Sequence, residues 1–239
     1  MAGDKRKTRK KTTIKVRIGK ILLDVLILFL VFTLIPVLVY RVWLPPTTAL
    51  MWIRWVEADY RRDMPRTIAR WQPLEKISPH LLKAVVAAED QKFFHHNGFD
   101  WQAIESAVVT NMTTRRTVGA STISMQTARN VFLWQGRTWL RKFLETYFTF
   151  LIEVIWSKER ILEVYLNVIE WGDGVFGCED AARTYFNHTS TKLTPVEAAW
   201  MAAILPNPRK WSMTNSQKRV VDRQAKILKA MPDIRIPRL

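Results

Sequence analysis

Residues 138–171 read TWLRKFLETYFTFLIEVIWSKERILEVYLNVIEW, and they decide the secondary-structure class. Thr138 to Trp156 is a long, strongly apolar segment with the spacing of a helix. Ser157 then stands at the N-cap position of a second helix, where its hydroxyl can accept an unpaired amide of the new first turn. Working outward, Pro79 opens a run, LLKAVVAAEDQKFF, whose Leu81, Leu82, Val85, Val86 and Phe93 recur at helical spacing. Thr194-Pro195-Val196-Glu197 is a capping box with proline at the first helical position. That helix runs through Met201 and Ile204 and ends at Pro206-Asn207-Pro208. No alternating strand pattern stands out, and 8 glycines in 239 residues argue against a loop-rich β protein.

The N-terminal part has a different composition. Residues 1–20 carry nine Lys/Arg against Asp4. ILLDVLILFLVFTLIPVLVY follows, Ile21 to Tyr40, which is the length a helix needs to cross the hydrocarbon core. A basic flank ahead of the apolar run orients such a helix with its N-terminus in the cytoplasm. A cleaved signal peptide would have a shorter apolar run and a small-residue cleavage site. The basic tail could bind nucleic acid, but beside an anchor it reads more simply as an orientation signal. The expected organisation is therefore a cytoplasmic tail over 1–20, a transmembrane helix over 21–40, a membrane-proximal linker over 41–70 and a folded domain over 71–239. The linker is rich in Trp and Arg (Trp52, Arg54, Trp55, Arg61, Arg62, Arg66, Arg70). Such residues suit a lipid–water interface or ordinary packing with snorkelling stems.

The net charge is +16, and most of the chain outside the tail is also basic. A surface of that sign favours anionic partners. Cys178 is the only cysteine, which excludes an intrachain disulfide and a Cys-based metal site. The four histidines show no metal-binding spacing.

Several residues are candidates for chemistry. Glu89 lies among apolar and aromatic neighbours, which can raise a carboxylate's pKa and fit it for acid–base work. An exposed helix-end carboxylate is the commoner reading on composition alone. Glu145 stands four residues after Arg141, so a structural ion pair competes with a site role. Glu153 lies close to the same face, and periodicity cannot choose between the two. Gly119 to Gln126 (GASTISMQ) is a small, polar segment that could hold a phosphate or sugar, or could be a plain helix start capped by Ser121. Arg129, Arg137, Arg141 and Lys142 follow as a cationic cluster, suited to pyrophosphate or to a solvated face.

Taken in order, these segments resemble the peptidoglycan glycosyltransferase family, the module shared with class A penicillin-binding proteins. Residues 89–98 (EDQKFFHHNG) are similar to the family's E-D-x-x-F-x-x-H-x-G, and residues 119–126 to G-x-S-T-I-T-Q-Q. Arg141 to Glu145 fits R-K-x-x-E, and Lys158 to Asn167 fits K-x-x-I-L-x-x-Y-L-N. Leu193 to Pro208 resembles the last motif, and the likeness covers about residues 70–210. Met125 stands where the family usually has Gln, Ser124 where it has Thr, and Arg129 where it has Lys. With no S-x-x-K or K-T-G, the chain resembles the monofunctional biosynthetic branch.

The resemblance implies a mainly α, lysozyme-like two-lobed glycosyltransferase domain behind one N-terminal transmembrane helix. A small apolar lobe, near residues 99–118 and 131–140, would touch the bilayer. The implied reaction polymerises lipid II into β-1,4 glycan with inversion and releases undecaprenyl pyrophosphate. Glu89 would be the general base and Glu145 would assist the leaving group, directly, through a cation or by orienting Arg141. Ser121, Thr122, Gln126, Arg129, Arg137, Arg141 and Lys142 would bind substrate. No cofactor is required, no resident metal is implied, and a divalent cation could accompany the pyrophosphate. Expected partners are lipid II, the nascent strand, membrane lipids and cell-division or cell-wall synthesis proteins, with no nucleic acid. The expected location is the bacterial inner membrane, with the catalytic domain in the periplasm. A lytic enzyme and a non-catalytic scaffold are the alternatives.

Overall fold

The computed structural model describes residues 2–60, 67–68, 70–114, 118–211 and 218–237, with side chains from residue 17 onward. Arg61, Arg62 and Arg66 of the expected linker lie outside the described residues. The chain divides into two units, Met1–Trp43 and Leu44–Leu239.

The first unit is one helix, α1 (Ala2–Tyr40), which contains Pro36 in its last turns. Its stretch Arg17–Tyr40 reaches a mean hydropathy of 2.9 over its most apolar 18 residues and is, among the described residues, the one helix long and apolar enough to cross a membrane. At about 1.5 Å per residue its 24 residues reach roughly 36 Å, more than a hydrocarbon core of about 30 Å needs. Ile21 to Phe32 present largely exposed apolar side chains, as a lipid-facing helix requires.

The second unit is mainly α, as the sequence reading expects. It contains α2 (Ala49–Glu57), α3 (Pro79–Glu89), α4 (Trp101–Thr113), α5 (Ile123–Phe132), α6 (Trp139–Ile155), α7 (Lys158–Val168), α8 (Cys178–Phe186), α9 (Pro195–Ile204) and α10 (Lys218–Ala230). A two-stranded antiparallel hairpin, β1 (Glu170–Gly172) with β2 (Val175–Phe176), separates α7 from α8. Strands this short carry no readable alternation. The available signal was the Asp173-Gly174 turn between them.

Side-chain caps set the helix starts. Thr48, Ser78, Asp100, Thr122, Thr138, Ser157 and Thr194 each accept an amide from their own first turn. The Ser157 cap and the Thr194–Glu197 capping box are as expected. The Ser121 cap is not, because α5 begins one residue later. The Thr122 hydroxyl accepts from the Met125 amide at 3.2 Å and donates to the Gly98 carbonyl at 2.6 Å, so it holds both ends of the junction.

Two groups of helices form the body. α9 packs against α3 and α10, and α5 packs against α6 and α7. Their core includes Leu81, Leu82, Val85, Ile123, Ile161, Leu166 and Met201, all fully buried. α2, expected within a linker, instead packs on α5. Its Leu50 and Met51 form a small core with Phe176, and Trp55 lies against it.

Gly98 links the first motif to α6. Its φ is +86°, and a Cβ there would lie 2.9 Å from Thr149 Cγ2 and 3.0 Å from Glu153 Cγ. Gly98→Ala is expected to cost on the order of 2 kcal/mol through backbone strain and the clash together. A melting midpoint lowered by roughly 4–8 °C in the purified protein checks this.

Candidate active site

α3 ends at Glu89, and Asp90 leaves the helical conformation with φ −165°. That break sends two neighbouring carboxylates to different tasks. Asp90 accepts the Ile123 amide of α5 at 3.0 Å and meets His96 Nε2 at 3.0 and 3.1 Å. It thus satisfies an otherwise free donor at a helix N-terminus, where negative charge is favoured.

Glu89 faces polar partners from two other helices. Gln126 Nε2 donates to its Oε2 at 2.8 Å, and Arg223 Nη2 donates to its Oε1 at 2.8 Å. Arg223 also donates to the Ala88 carbonyl at 3.1 Å. Burial pushes the Glu89 pKa above the usual carboxylate value, and the bonds from Gln126 and Arg223 and the charge of Arg129 only partly offset it. The side chain remains 14% exposed, so a substrate proton can reach it. Tyr165, fully buried, donates its hydroxyl to Gln126 Oε1 at 3.1 Å. Burial, then the Glu89 charge, push its own pKa well above the usual phenol value. The phenol donates to the Gln126 carbonyl while the Glu89 carboxylate accepts from the Gln126 NH₂, so the two partners together set the orientation of the amide.

Two cavities flank the Glu89–Gln126 pair. One, of about 280 Å³, is lined by Glu89, Asp90, Lys92, Asp100, Ser121 and Thr122 among others. The other, of about 200 Å³, is lined by Gln126, Arg129, Asn130, Gln135, Tyr165 and Glu170, with Leu50 and Arg54 of α2 and Pro206 beyond. Arg129 Nε and Gln135 Nε2 are buried without a hydrogen-bond partner. Unsatisfied buried donors on this scale suit an acceptor-rich ligand.

The remaining sequence candidates sit elsewhere. Glu145 is 2% exposed and enclosed by Arg141 Nη1 and by Lys142 Nζ at 2.6 Å. Arg141 is buried, Lys142 is half exposed, and Arg137 is exposed. None of these three cations lines either cavity. Glu153 is held by Ser124 and by Lys158 at 2.8 Å. Met125 is 4% exposed and belongs to the core. The family's polar residue is therefore missing from a buried position rather than from a cavity wall. Among the described residues, no group of three or more His, Cys, Asp or Glu could hold a metal ion.

Sequence reasoning missed Arg223, Tyr165 and Arg54. Arg223 had a readable signal, because it falls in the apolar stripe of α10 with Val220 and Ile227, at i, i+3 and i+7.

Glu89, a shielded carboxylate of raised pKa, thus lies one side chain away from a cavity in which Arg129 Nε and Gln135 Nε2 are buried without hydrogen-bond partners. The chain belongs to the transglycosylase family, whose model matches residues 60–232. It is 50% identical over 209 residues to a biosynthetic peptidoglycan transglycosylase of Bdellovibrio bacteriovorus, covering 87% of this chain and 84% of that protein. Proteins of the same name are 48% identical in Caulobacter vibrioides (88% and 90% covered) and 47% identical in Bacteroides thetaiotaomicron (87% and 84% covered).

Two outcomes follow from this geometry. Arg223→Gln removes a charge that favours ionised Glu89, so the Glu89 pKa rises further. The acidic limb of the pH profile of kcat/KM then moves to higher pH. A lower plateau with an unmoved limb would make Arg223 a packing residue. Glu145→Gln leaves the buried Arg141 charge without its counterion and is expected to cost about 3 kcal/mol, read as a lowered melting midpoint.

Proposed function

We propose that this peptidoglycan glycosyltransferase polymerises lipid II, with the growing strand as donor on undecaprenyl diphosphate. The observation that carries the reading is Glu89, a carboxylate of raised pKa that lines the larger cavity and is bonded by Gln126 of the smaller one. A base of that kind is matched to a hydroxyl it must deprotonate near neutral pH. The acceptor sugar enters the Glu89, Ser121 and Thr122 side. Its 4-hydroxyl attacks the donor anomeric carbon opposite the diphosphate, and Glu89 takes the proton. The anomeric C–O bond breaks, its electron pair leaves with the diphosphate, and configuration inverts from α to β.

Charge on the leaving diphosphate grows through this step, and preorganised cations lower its energy. Arg129 serves there through its unpaired Nε. Glu145, saturated by Arg141 and Lys142, acts by holding those cations rather than by giving a proton. Arg137, exposed, and Lys142, half exposed, meet the diphosphate or its lipid neighbours at the rim. No resident cofactor enters the reaction, and a divalent cation accompanies the diphosphate only as part of the substrate.

The basic first half and apolar second half of α1 support a single-pass anchor in the bacterial inner membrane, with its basic end in the cytoplasm and the catalytic unit outside. Exposed apolar side chains on α4 and α6, among them Trp101, Met112, Trp139 and Phe143, support contact with lipid, since a soluble surface rarely gathers so many. Partners in cell-wall synthesis or division fit this placement, whereas nucleic acid does not.

Labelled lipid II presented to purified wild type and to Glu89→Gln tests the reading. Wild type is expected to give long glycan, and the variant to be slower by about 100-fold or more. Folded wild type that yields no polymer would refute it.

A further inference from the structure

One wall of the smaller cavity comes from outside the stretch that the family model matches. α2 ends before residue 60, yet its Leu50 and Arg54 line the cavity with Gln126, Arg129 and Gln135. Arg54 is held in one orientation. Its Nε donates to Glu170 Oε2 at 2.8 Å, and its Nη1 donates to Glu57 Oε2 at 2.6 Å. Glu57 is in turn 3.5 Å from Arg209 Nη1, and Arg209 Nε bonds Asp173 at 3.0 Å. These two bonds leave Arg54 with further N–H donors, since a guanidinium carries five.

The cavity contains one carboxylate, Glu170, which Arg54 and the Gly174 amide already engage. Against it stand two guanidinium groups and the unpartnered donors Arg129 Nε and Gln135 Nε2. This donor-rich, net cationic lining fits phosphate oxygens better than a neutral sugar. Of the four candidate cations Arg129, Arg137, Arg141 and Lys142, Arg129 alone lines this cavity, so a diphosphate bound there would need a second charge from elsewhere.

We propose that Arg54 of the membrane-proximal helix is a substrate-positioning residue, which with Arg129 and Gln135 holds the diphosphate of the lipid-linked donor. This rests on the transferase reading above. The diphosphate receives the electron pair of the breaking anomeric C–O bond on this side, while the acceptor's proton goes to Glu89 on the other.

Polymerisation of labelled lipid II by the full chain, with Arg54→Ala, Arg54→Gln and Arg54→Lys compared at unchanged melting midpoint, tests the proposal. Arg54→Gln keeps a hydrogen bond to Glu170 without the charge, so it reports even if Arg54→Ala does not fold. The neutral variants are expected to lose tenfold or more in kcat/KM and to be inhibited tenfold less by inorganic pyrophosphate, with Arg54→Lys between them and wild type. Wild-type kcat/KM and pyrophosphate inhibition in Arg54→Gln would overturn the proposal and leave Arg54 a staple between α2 and β1. If wild type makes no polymer, the transferase reading fails by itself. Calorimetric binding of pyrophosphate to wild type and Arg54→Gln then decides the cavity assignment, with equal affinities overturning it.

Discussion

The Asp90 carboxylate ties the turn after α3 to the first amide of α5, and the groups around Glu89 are positioned through that tie. It sets where α5 begins, and so where Gln126 and Arg129 project one and two turns further on. Thr122 repeats the connection in the opposite direction by donating to the Gly98 carbonyl. Gly98, pressed against Thr149 and Glu153, fixes the same loop to α6. Three short contacts thus convert sequence neighbours 89–98 into a rigid bracket between α3, α5 and α6. Rigidity of this sort matters because a base displaced by an ångström from its proton loses much of its effect.

Within the bracket, burial and hydrogen bonding pull the Glu89 pKa in opposite directions. Burial disfavours its charged form, while Gln126, Arg223 and Arg129 favour it. The balance leaves the pKa raised, with the bonds from Gln126 and Arg223 and the charge of Arg129 partly offsetting burial. Tyr165 contributes to that balance without touching the carboxylate, since it fixes which end of the Gln126 amide faces it.

The helical class, the caps at Ser157 and Thr194 and the apolar α1 were legible because each depends on residues close in sequence. Periodicity and cap chemistry are local, and the structure had no reason to override them. The site was legible only in part. Glu89, Ser121, Thr122, Gln126 and Arg129 lie in short motifs and do line the cavities. Arg54 and Tyr165 line the smaller cavity and Arg223 bonds Glu89 from positions distant in the chain, and no local pattern encodes such a meeting. Glu145 and Glu153 were indistinguishable by spacing. The structure gives each its own counterions, Arg141 and Lys142 for the first and Lys158 for the second.

The separation of the two cavities has a chemical consequence. A glycosyl transfer removes a proton from one oxygen and delivers negative charge to another. Glu89 would be a poor neighbour for the second oxygen, since like charges repel strongly where water is scarce. Gln126, which is neutral, lines the cation-rich cavity while its amide engages Glu89 from that side. Arg223 balances the carboxylate from the remaining direction. In the proposed reaction, the charge that would accept the proton and the cations that would receive the leaving group are thereby kept apart by one uncharged side chain. Direct pairing of Arg129 with Glu89 would quench both, and the Tyr165–Gln126 bond holds in place the group that prevents it.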